Sequence, residues 1–474
     1  MTYAFTFDAS ACTGCKACQI ACKDKNNLPT GVLWRRVYEI SGGSWQQQNA
    51  AWTNTVFAYN LSIACNHCEH PKCAGVCPVD AYEIRADGIV VIDESKCVGC
   101  GYCAWACPYD APQYNPELGH MTKCNFCFDN IDAGLSPACV AACPMRVLNY
   151  SPAADISAGF IPLWMKPAED HPYPMSPTSR TEPHLAVKPH AAMKGSAGKN
   201  LANREEIAPR KASAWEEAPL IIFTLLAQLS VGGFWAMLWI FPLLWTLAQA
   251  DMPILRGLPL MVVGASLGLG MFFSFAHLGT KRNAWRVLNH LRKSWLSREI
   301  LSAGLFGASW LAVTVANLIF HRTIPALTWL TVLLGFALVY SMSRVYRLPA
   351  KPMWDSWRTN ASFFVSALLL GMMAMSPVLV YESQITGVHL PGFFWKGIGV
   401  AAFALLVAQL ILTSQYQSSR DVRIFQVGMS LIAIFSIAIF FVLPIHPTFA
   451  NSLFVLVAIL LAEVAGRWQF YNAA

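Results

Sequence analysis

The chain has 474 residues, of which 55% are hydrophobic and only 13% charged, with a net charge of +7. That balance is too apolar for an ordinary soluble protein and points to membrane spans. Residues 1–150 carry 10 Lys/Arg against 13 Asp/Glu. The positive excess therefore lies further along, no basic and aromatic patch accompanies it, and nucleic-acid binding is excluded as the reading of the basic balance.

All 16 cysteines lie between Cys12 and Cys143. Met1 to Ser10 show no apolar signal-peptide core and no twin-arginine motif. The expectation is thus metal ligands in a reducing compartment, not the disulfides of a secreted protein. The cysteines fall into four groups of four. Cys12, Cys15, Cys18 and Cys22 are spaced C-x2-C-x2-C-x3-C. Cys65, Cys68, Cys73 and Cys77 are spaced C-x2-C-x4-C-x3-C. Cys97, Cys100, Cys103 and Cys107 repeat the first spacing, and Cys124, Cys127, Cys139 and Cys143 are spaced C-x2-C-x11-C-x3-C. Pro78, Pro108 and Pro144 directly follow the last cysteine of groups two, three and four, whereas Lys23 stands there in group one. Three close thiolates followed by a C-P is the bacterial ferredoxin run. Zinc is the alternative for C-x2-C pairs, but x2-x2 triplets with a trailing C-P are not its habit. Sixteen ligands, four per cluster, make four [4Fe–4S] clusters with none left over.

In two-cluster ferredoxins the fourth cysteine of each run crosses to the other cluster. Groups two and three then exchange fourth ligands, so Cys65, Cys68 and Cys73 join Cys107, and Cys97, Cys100 and Cys103 join Cys77. Groups one and four form the outer pair: Cys12, Cys15 and Cys18 join Cys143, and Cys124, Cys127 and Cys139 join Cys22. Between the groups, Gly88–Asp93 reads as a strand, and residues 34–60 read as an insertion with strands near Val37–Ile40 and Thr55–Tyr59.

With these four groups, residues 1–150 resemble the four-cluster electron-transfer subunit of the dimethyl sulfoxide reductase family of molybdoenzymes. Residues 151–215 lack cysteine and are punctuated by Pro167, Pro172, Pro174, Pro177, Pro183 and Pro189. They read as an extended tail with a fusion junction near 208–214, and His171, His184 and His190 read as solvated.

From 216 to 474 the sequence predicts eight apolar spans: Pro219–Leu247, Leu258–Leu278, Ile300–Phe320, Pro325–Val345, Ser362–Tyr381, Phe394–Thr413, Ile424–Leu443 and Thr448–Gly466. Trp215, Trp285, Trp329, Tyr381 and Tyr416 fall at their edges, as in an interfacial belt. Thirteen Lys/Arg, from Lys281 to Arg467, fall on the side shared with the cysteine domain; Arg256, Arg322 and Lys396 fall on the other. By the positive-inside rule the cysteine domain faces the cytoplasm at the inner membrane. The spans resemble the membrane anchor of the same family, at Trp215–Thr224, His277-Leu278-Gly279, Leu296–Ile300, Arg344-Val345-Tyr346 and Glu463–Arg467. The fold class expected is therefore an α+β ferredoxin-like domain with two 2×[4Fe–4S] halves (1–150), the tail (151–215) and an all-α eight-helix transmembrane bundle (216–474).

Ionisable groups at membrane depth are functional candidates. His277 closes the second span and Glu299 opens the third. A histidine and a carboxylate suit the protons that accompany quinone chemistry, and the resemblance implicates both positions in quinol binding. Glu463 and Arg467, four apart, read as an ion pair within one helix; Arg344 and Tyr346 are weaker candidates. No pterin-binding domain is visible, so molybdopterin and substrate chemistry belong to a partner subunit. The favoured reaction is sulfite oxidation to sulfate with ubiquinone or menaquinone as acceptor, by analogy to a cytoplasm-facing branch of the family. The alternatives are quinol-driven reduction of dimethyl sulfoxide or a related oxide, and a stand-alone ferredoxin:quinone oxidoreductase.

Overall fold

The computed structural model describes residues 2–49, 51–165, 181–193, 217–240, 257–386, 390–416, 420–442 and 447–472. The expected junction near 208–214, His171, Trp215, Arg256 and the end of the first span beyond 240 lie outside them. The chain forms two compact units.

The first unit comprises residues 1–211, 278–294 and 348–352. It begins with β1 (Tyr3–Asp8) and α1 (Ala17–Lys25). Two hairpins follow: β2 (Arg36–Gly42) pairs with β5 (Phe57–Ile63), and between them β3 (Trp45–Gln48) pairs with β4 (Ala51–Asn54). The pairing of β2 with β5 is the insertion expected at 34–60. Then come α2 (Lys72–Val76), β6 (Tyr82–Ile84), β7 (Val90–Ile92) and α3 (Tyr102–Ala106). They are followed by β8 (Gln113–Asn115), β9 (His120–Thr122), α4 (Phe128–Asp132) and α5 (Ala138–Ala141). The unit closes with β10 (Leu148–Pro152), β11 (Ile161–Pro162) and β12 (Leu185–Lys188).

β1 is the central strand, antiparallel to β10 and parallel to β12, in the order β10–β1–β12–β11. The stretch read as an extended tail thus contributes two strands to this sheet. Its consecutive Leu185, Ala186 and Val187 are buried there, and His184, read as solvated, is buried as well, with its backbone N–H donating to Asn66 O at 2.9 Å. Under the sheet Phe5 stacks on Phe126 at 4.1 Å between ring centroids.

The short helices follow from the punctuation. α2, α3 and α5 each carry the third cysteine of a group and stop just before the Cys-Pro, because proline cannot donate to a continuing helix. α1 carries Lys23 at that position and runs on for nine residues.

The second unit is all-helical. It holds α6 (Ala218–Trp235), α7 (Leu258–Ala276), α8 (Trp295–Leu318) and α9 (Pro325–Val345). It continues with α10 (Trp357–Thr386), α11 (Gly392–Thr413), α12 (Arg420–Ile437) and α13 (Phe449–Asn472). Eight helices among the described residues are long and apolar enough to cross a membrane. Several extend beyond the expected spans, notably α10 and α13, because backbone hydrogen bonding continues past the apolar window into polar flanks. Tyr416, expected in an interfacial belt, is instead buried, with its ring edge-on to Phe470 at 5.2 Å. The residue follows α11 directly and folds back into the bundle.

α6 and α10 pack backbone to backbone. A Cβ on Gly232 would lie 1.7 Å from Ala367 O, and one on Gly371 would lie 1.9 Å from Gly232 C. Small residues permit this approach where lipid supplies no hydrophobic drive between helices. Gly371→Ala is expected to lower the unfolding stability of the detergent-solubilised chain by about 1–3 kcal/mol through overpacking. Gly304→Ala, where a Cβ meets nothing within 4 Å, is expected to leave it unchanged. Thermal unfolding of both variants tests the contact.

Candidate iron–sulfur and membrane sites

None of the sixteen cysteines is paired in a disulfide, and they assemble into sets that ignore their order in the chain. Cys65, Cys68, Cys73 and Cys107 line one cavity. Cys77, Cys97, Cys100 and Cys103 line a second. Cys12, Cys15, Cys18 and Cys143 line a third. The remaining four are neighbours of one another: Cys22 lies by Cys139 and Cys127, and Cys124 by Cys22 and Cys139. In each set the fourth sulfur of one group has crossed to the first three of another. The reason is local. The Cys-Pro ends its short helix with the backbone extended, at φ −62°, ψ 121° for Cys77 and φ −89°, ψ 119° for Cys107, and the sulfur is delivered away from its own group.

Among the described residues, no three His, Cys, Asp or Glu side chains close on a single point as one metal ion requires. Zinc would draw four sulfurs to about 2.3 Å of its centre; these sulfurs stand around a space. Backbone N–H groups of Ala81, Gly99 and Phe126 point at Cys77, Cys97 and Cys124 Sγ, each at 3.4 Å. This donor pattern suits thiolates bound to an iron–sulfur cluster. Burial pushes the Cys22, Cys73 and Cys100 thiols up to about 12, so at neutral pH they become thiolates only when a metal takes the place of the proton.

The sets follow one another in space. Cys18 lies by Cys139, Cys124 by Cys65, and Cys103 by Cys73. The order is therefore the Cys12 set, the Cys22 set, the Cys65 set and the Cys77 set. At one end Cys15 is exposed. At the other, residues 278–294 cover the backbone of the Cys77 set. Thr280 N–H donates to Val98 O at 3.1 Å, Asn283 Nδ2 to Cys97 O at 3.1 Å, His290 Nδ1 to Cys77 O at 2.7 Å and Ser294 Oγ to Val76 O at 2.7 Å. Glycine is required at this contact: a Cβ on Gly279 would lie 2.1 Å from Gly119 O, and one on Gly99, at φ +71°, 2.5 Å from the same oxygen.

In the second unit, His277 ends α7 half-buried, its N–H donating to Phe273 O at 3.2 Å. Glu299 is buried in the first turns of α8 and close enough for its charge to act on Tyr346, whose hydroxyl meets that of Tyr471. No contact brings His277 and Glu299 together among the described residues. Glu463 and Arg467 act on each other's charge, as expected, and both reach Ser366 Oγ, but they make no direct salt bridge among the described residues. Glu463 Oε2 accepts from Ser366 Oγ at 2.8 Å and Gln409 Nε2 at 3.1 Å, and Arg467 Nη2 donates to Gln228 Oε1 at 3.0 Å. The guanidinium lies over Phe363, 3.7 Å from the ring centroid. Both side chains point across the bundle to neighbouring helices instead of along their own. Every buried polar group at this depth needs a partner, and the other helices supply more of them than one turn of α13 does.

Residues 212–472 match the DMSO reductase anchor subunit (DmsC) family, and residues 56–152 match a 4Fe-4S dicluster domain. This protein belongs to the DMSO reductase anchor subunit (DmsC) family. One polypeptide of the anaerobic dimethyl sulfoxide reductase of Escherichia coli is 46% identical over 207 residues, 43% of this chain and 98% of its own length. Its namesake from Haemophilus influenzae is 44% identical over 208 residues, with the same coverage of both sequences. One polypeptide of the tetrathionate reductase of Salmonella typhimurium is 43% identical over 143 residues, 30% of this chain and 54% of its own.

An iron–sulfur domain similar to that of dimethyl sulfoxide and tetrathionate reductases and a DmsC-type anchor are thus joined in one multi-pass membrane protein, an electron-transfer and anchoring component that works with a catalytic partner. The dicluster match begins after group one, so Cys12, Cys15, Cys18 and Cys22 rest on spacing and geometry. Sequence reasoning missed Arg35 and Lys123, both buried among the cysteine sets, and Tyr471. Neither Trp34-Arg35-Arg36 nor Thr122-Lys123-Cys124 carried a local signal of burial.

Cys143→Ser is expected to alter the EPR signal of the cluster held by Cys12, Cys15 and Cys18 and to leave that of the Cys22 set intact. The reverse pattern would contradict the crossed assignment.

Proposed function

We propose that the chain holds four [4Fe–4S] clusters on its sixteen cysteines and carries electrons between membrane quinone and a molybdopterin catalytic subunit. The observation that carries this reading is the single file of four sulfur sets, exposed at Cys15 and covered by residues 278–294 at the other end. Clusters of this type supply one-electron transfer without proton uptake. The protein's part is to space them, exclude water and donate N–H groups to their sulfurs.

Quinone chemistry adds two protons to two electrons, and the protons need side chains. In sequence, His277 and Glu299 flank residues 278–294. A buried carboxyl at Glu299 near Tyr346, whose hydroxyl meets that of Tyr471, suits a proton-carrying quinone site, and the half-buried His277 at the end of α7 is a second proton-carrying group of the same helical unit. Glu299→Gln is expected to lower quinone-linked turnover by roughly 10²-fold while the iron content stays unchanged. Unaltered turnover in both Glu299→Gln and His277→Gln would refute the site.

Two readings of the partner's reaction have support. The thirteen-to-three distribution of basic residues favours a cytoplasmic cluster domain at the inner membrane, and with it sulfite oxidation to sulfate with quinone as acceptor. The names of the relatives, reductases of dimethyl sulfoxide, tetrathionate and thiosulfate, favour quinol-driven reduction of a sulfur-oxygen compound. The complex captured from native membranes decides between them. Sulfite-dependent quinone reduction is expected on the first reading, and sulfoxide-dependent quinol oxidation alone on the second. A preparation with no large second subunit and neither activity would contradict both.

A further inference from the structure

Two cations are buried inside the cysteine domain, Arg35 at 2% exposure and Lys123 at 4%. Neither is placed for a salt bridge among the described residues. Arg35 Nη1 donates to Ser62 Oγ at 3.1 Å, and its Cζ lies 4.6 Å from the centroid of Phe5. Its Nε and Nη2 are buried with no hydrogen-bond partner among those residues. Lys123 Nζ donates to Val90 O and, at 3.1 Å, to Cys124 O.

Their positions relative to the sulfur sets differ in a regular way. Arg35 acts on Cys18 of the first set and on Cys22, Cys124 and Cys139 of the second. Lys123 is bonded to the backbone of Cys124 in the second set, lines the cavity of the third and acts on Cys73 there. One cation therefore stands at the junction of sets one and two, and the other at the junction of sets two and three. An unpaired guanidinium in an apolar site is costly. The unmet N–H groups make sense beside cluster sulfurs, the anionic partner that the surrounding cysteines supply. Ser62 extends the same contact. Having accepted from Arg35, its hydroxyl has its own proton free for Cys18 Sγ, 3.6 Å away.

We propose that Arg35 and Lys123 are fixed-charge positioning residues of the electron path, each raising the reduction potentials of the two clusters it separates. Reduction adds a negative charge to a cluster, and a buried cation at low dielectric favours that state. The second cluster, flanked by both cations, is raised twice. The Cys77 set adjoins neither. This inference rests on the four-cluster reading.

The test is an EPR-monitored redox titration of the full chain in its membrane complex, with iron content measured alongside. Arg35→Met is expected to lower the midpoints of the Cys12-set and Cys22-set clusters by roughly tenfold in equilibrium constant, about 59 mV for one electron. Lys123→Met is expected to lower those of the Cys22 and Cys65 sets by a similar amount. The Cys22-set cluster moves in both variants and the Cys77-set cluster in neither. Arg35→Lys and Lys123→Arg retain the charge and are expected to titrate like the unaltered protein. Unmoved midpoints with full iron content overturn the proposal, as does an equal shift of all four clusters. Should a neutral variant lose iron, its charge-retaining counterpart decides. Iron and midpoints retained there support the charge role, and the same loss there reduces the residue to scaffolding. An unaltered protein that shows fewer than four clusters would refute the four-cluster reading itself, before any variant is made.

Discussion

The constraint on which the cysteine domain depends is the crossed fourth cysteine. No sulfur set can be completed by one stretch of sequence, so each locks two distant segments together: Cys12 with Cys143, Cys22 with Cys124, Cys65 with Cys107 and Cys77 with Cys97. The proline after groups two, three and four ends a short helix and sends the sulfur outward. Group one achieves the same end differently, because α1 is long enough to present Cys18 to one set and Cys22, a turn later, to the next. The central position of β1 between β10 and β12 has the same logic: the strand before group one is held by the strand after group four.

Much of this was legible in the sequence, because cysteine spacing and Cys-Pro punctuation are local signals that encode ligand geometry directly. The pairing of groups one with four and two with three appears in the structure as read from the ferredoxin pattern. What spacing does not encode is the material between the ligands. Arg35 sits in an ordinary-looking Trp34-Arg35-Arg36 stretch, and its burial depends on Phe5 and Ser62 arriving from strands on either side. Leu185–Lys188 lies in a proline-rich region with no period of its own, and it becomes a strand only because β1 offers an unpaired edge.

The membrane half was legible for another reason. Twenty consecutive apolar residues announce a helix whatever its neighbours are, so all eight were located, and the errors lie at their ends. Contacts across the bundle were not legible. An i, i+4 acid and base suggest an intrahelical pair when only one helix is in view. In the fold, Ser366, Gln409 and Gln228 on other helices take those bonds. The same packing brings Tyr346, a weak candidate from sequence, near Glu299 and against Tyr471, which a single-helix reading could not anticipate.

The central claim is that all four groups are working cluster ligands. The most direct measurement is iron content with EPR spin quantification on the intact, purified membrane complex, corrected for any iron in the partner subunit. Four clusters of four irons, about sixteen iron atoms per polypeptide, is the predicted result. About eight, the content of the single dicluster domain matched over residues 56–152, would contradict it.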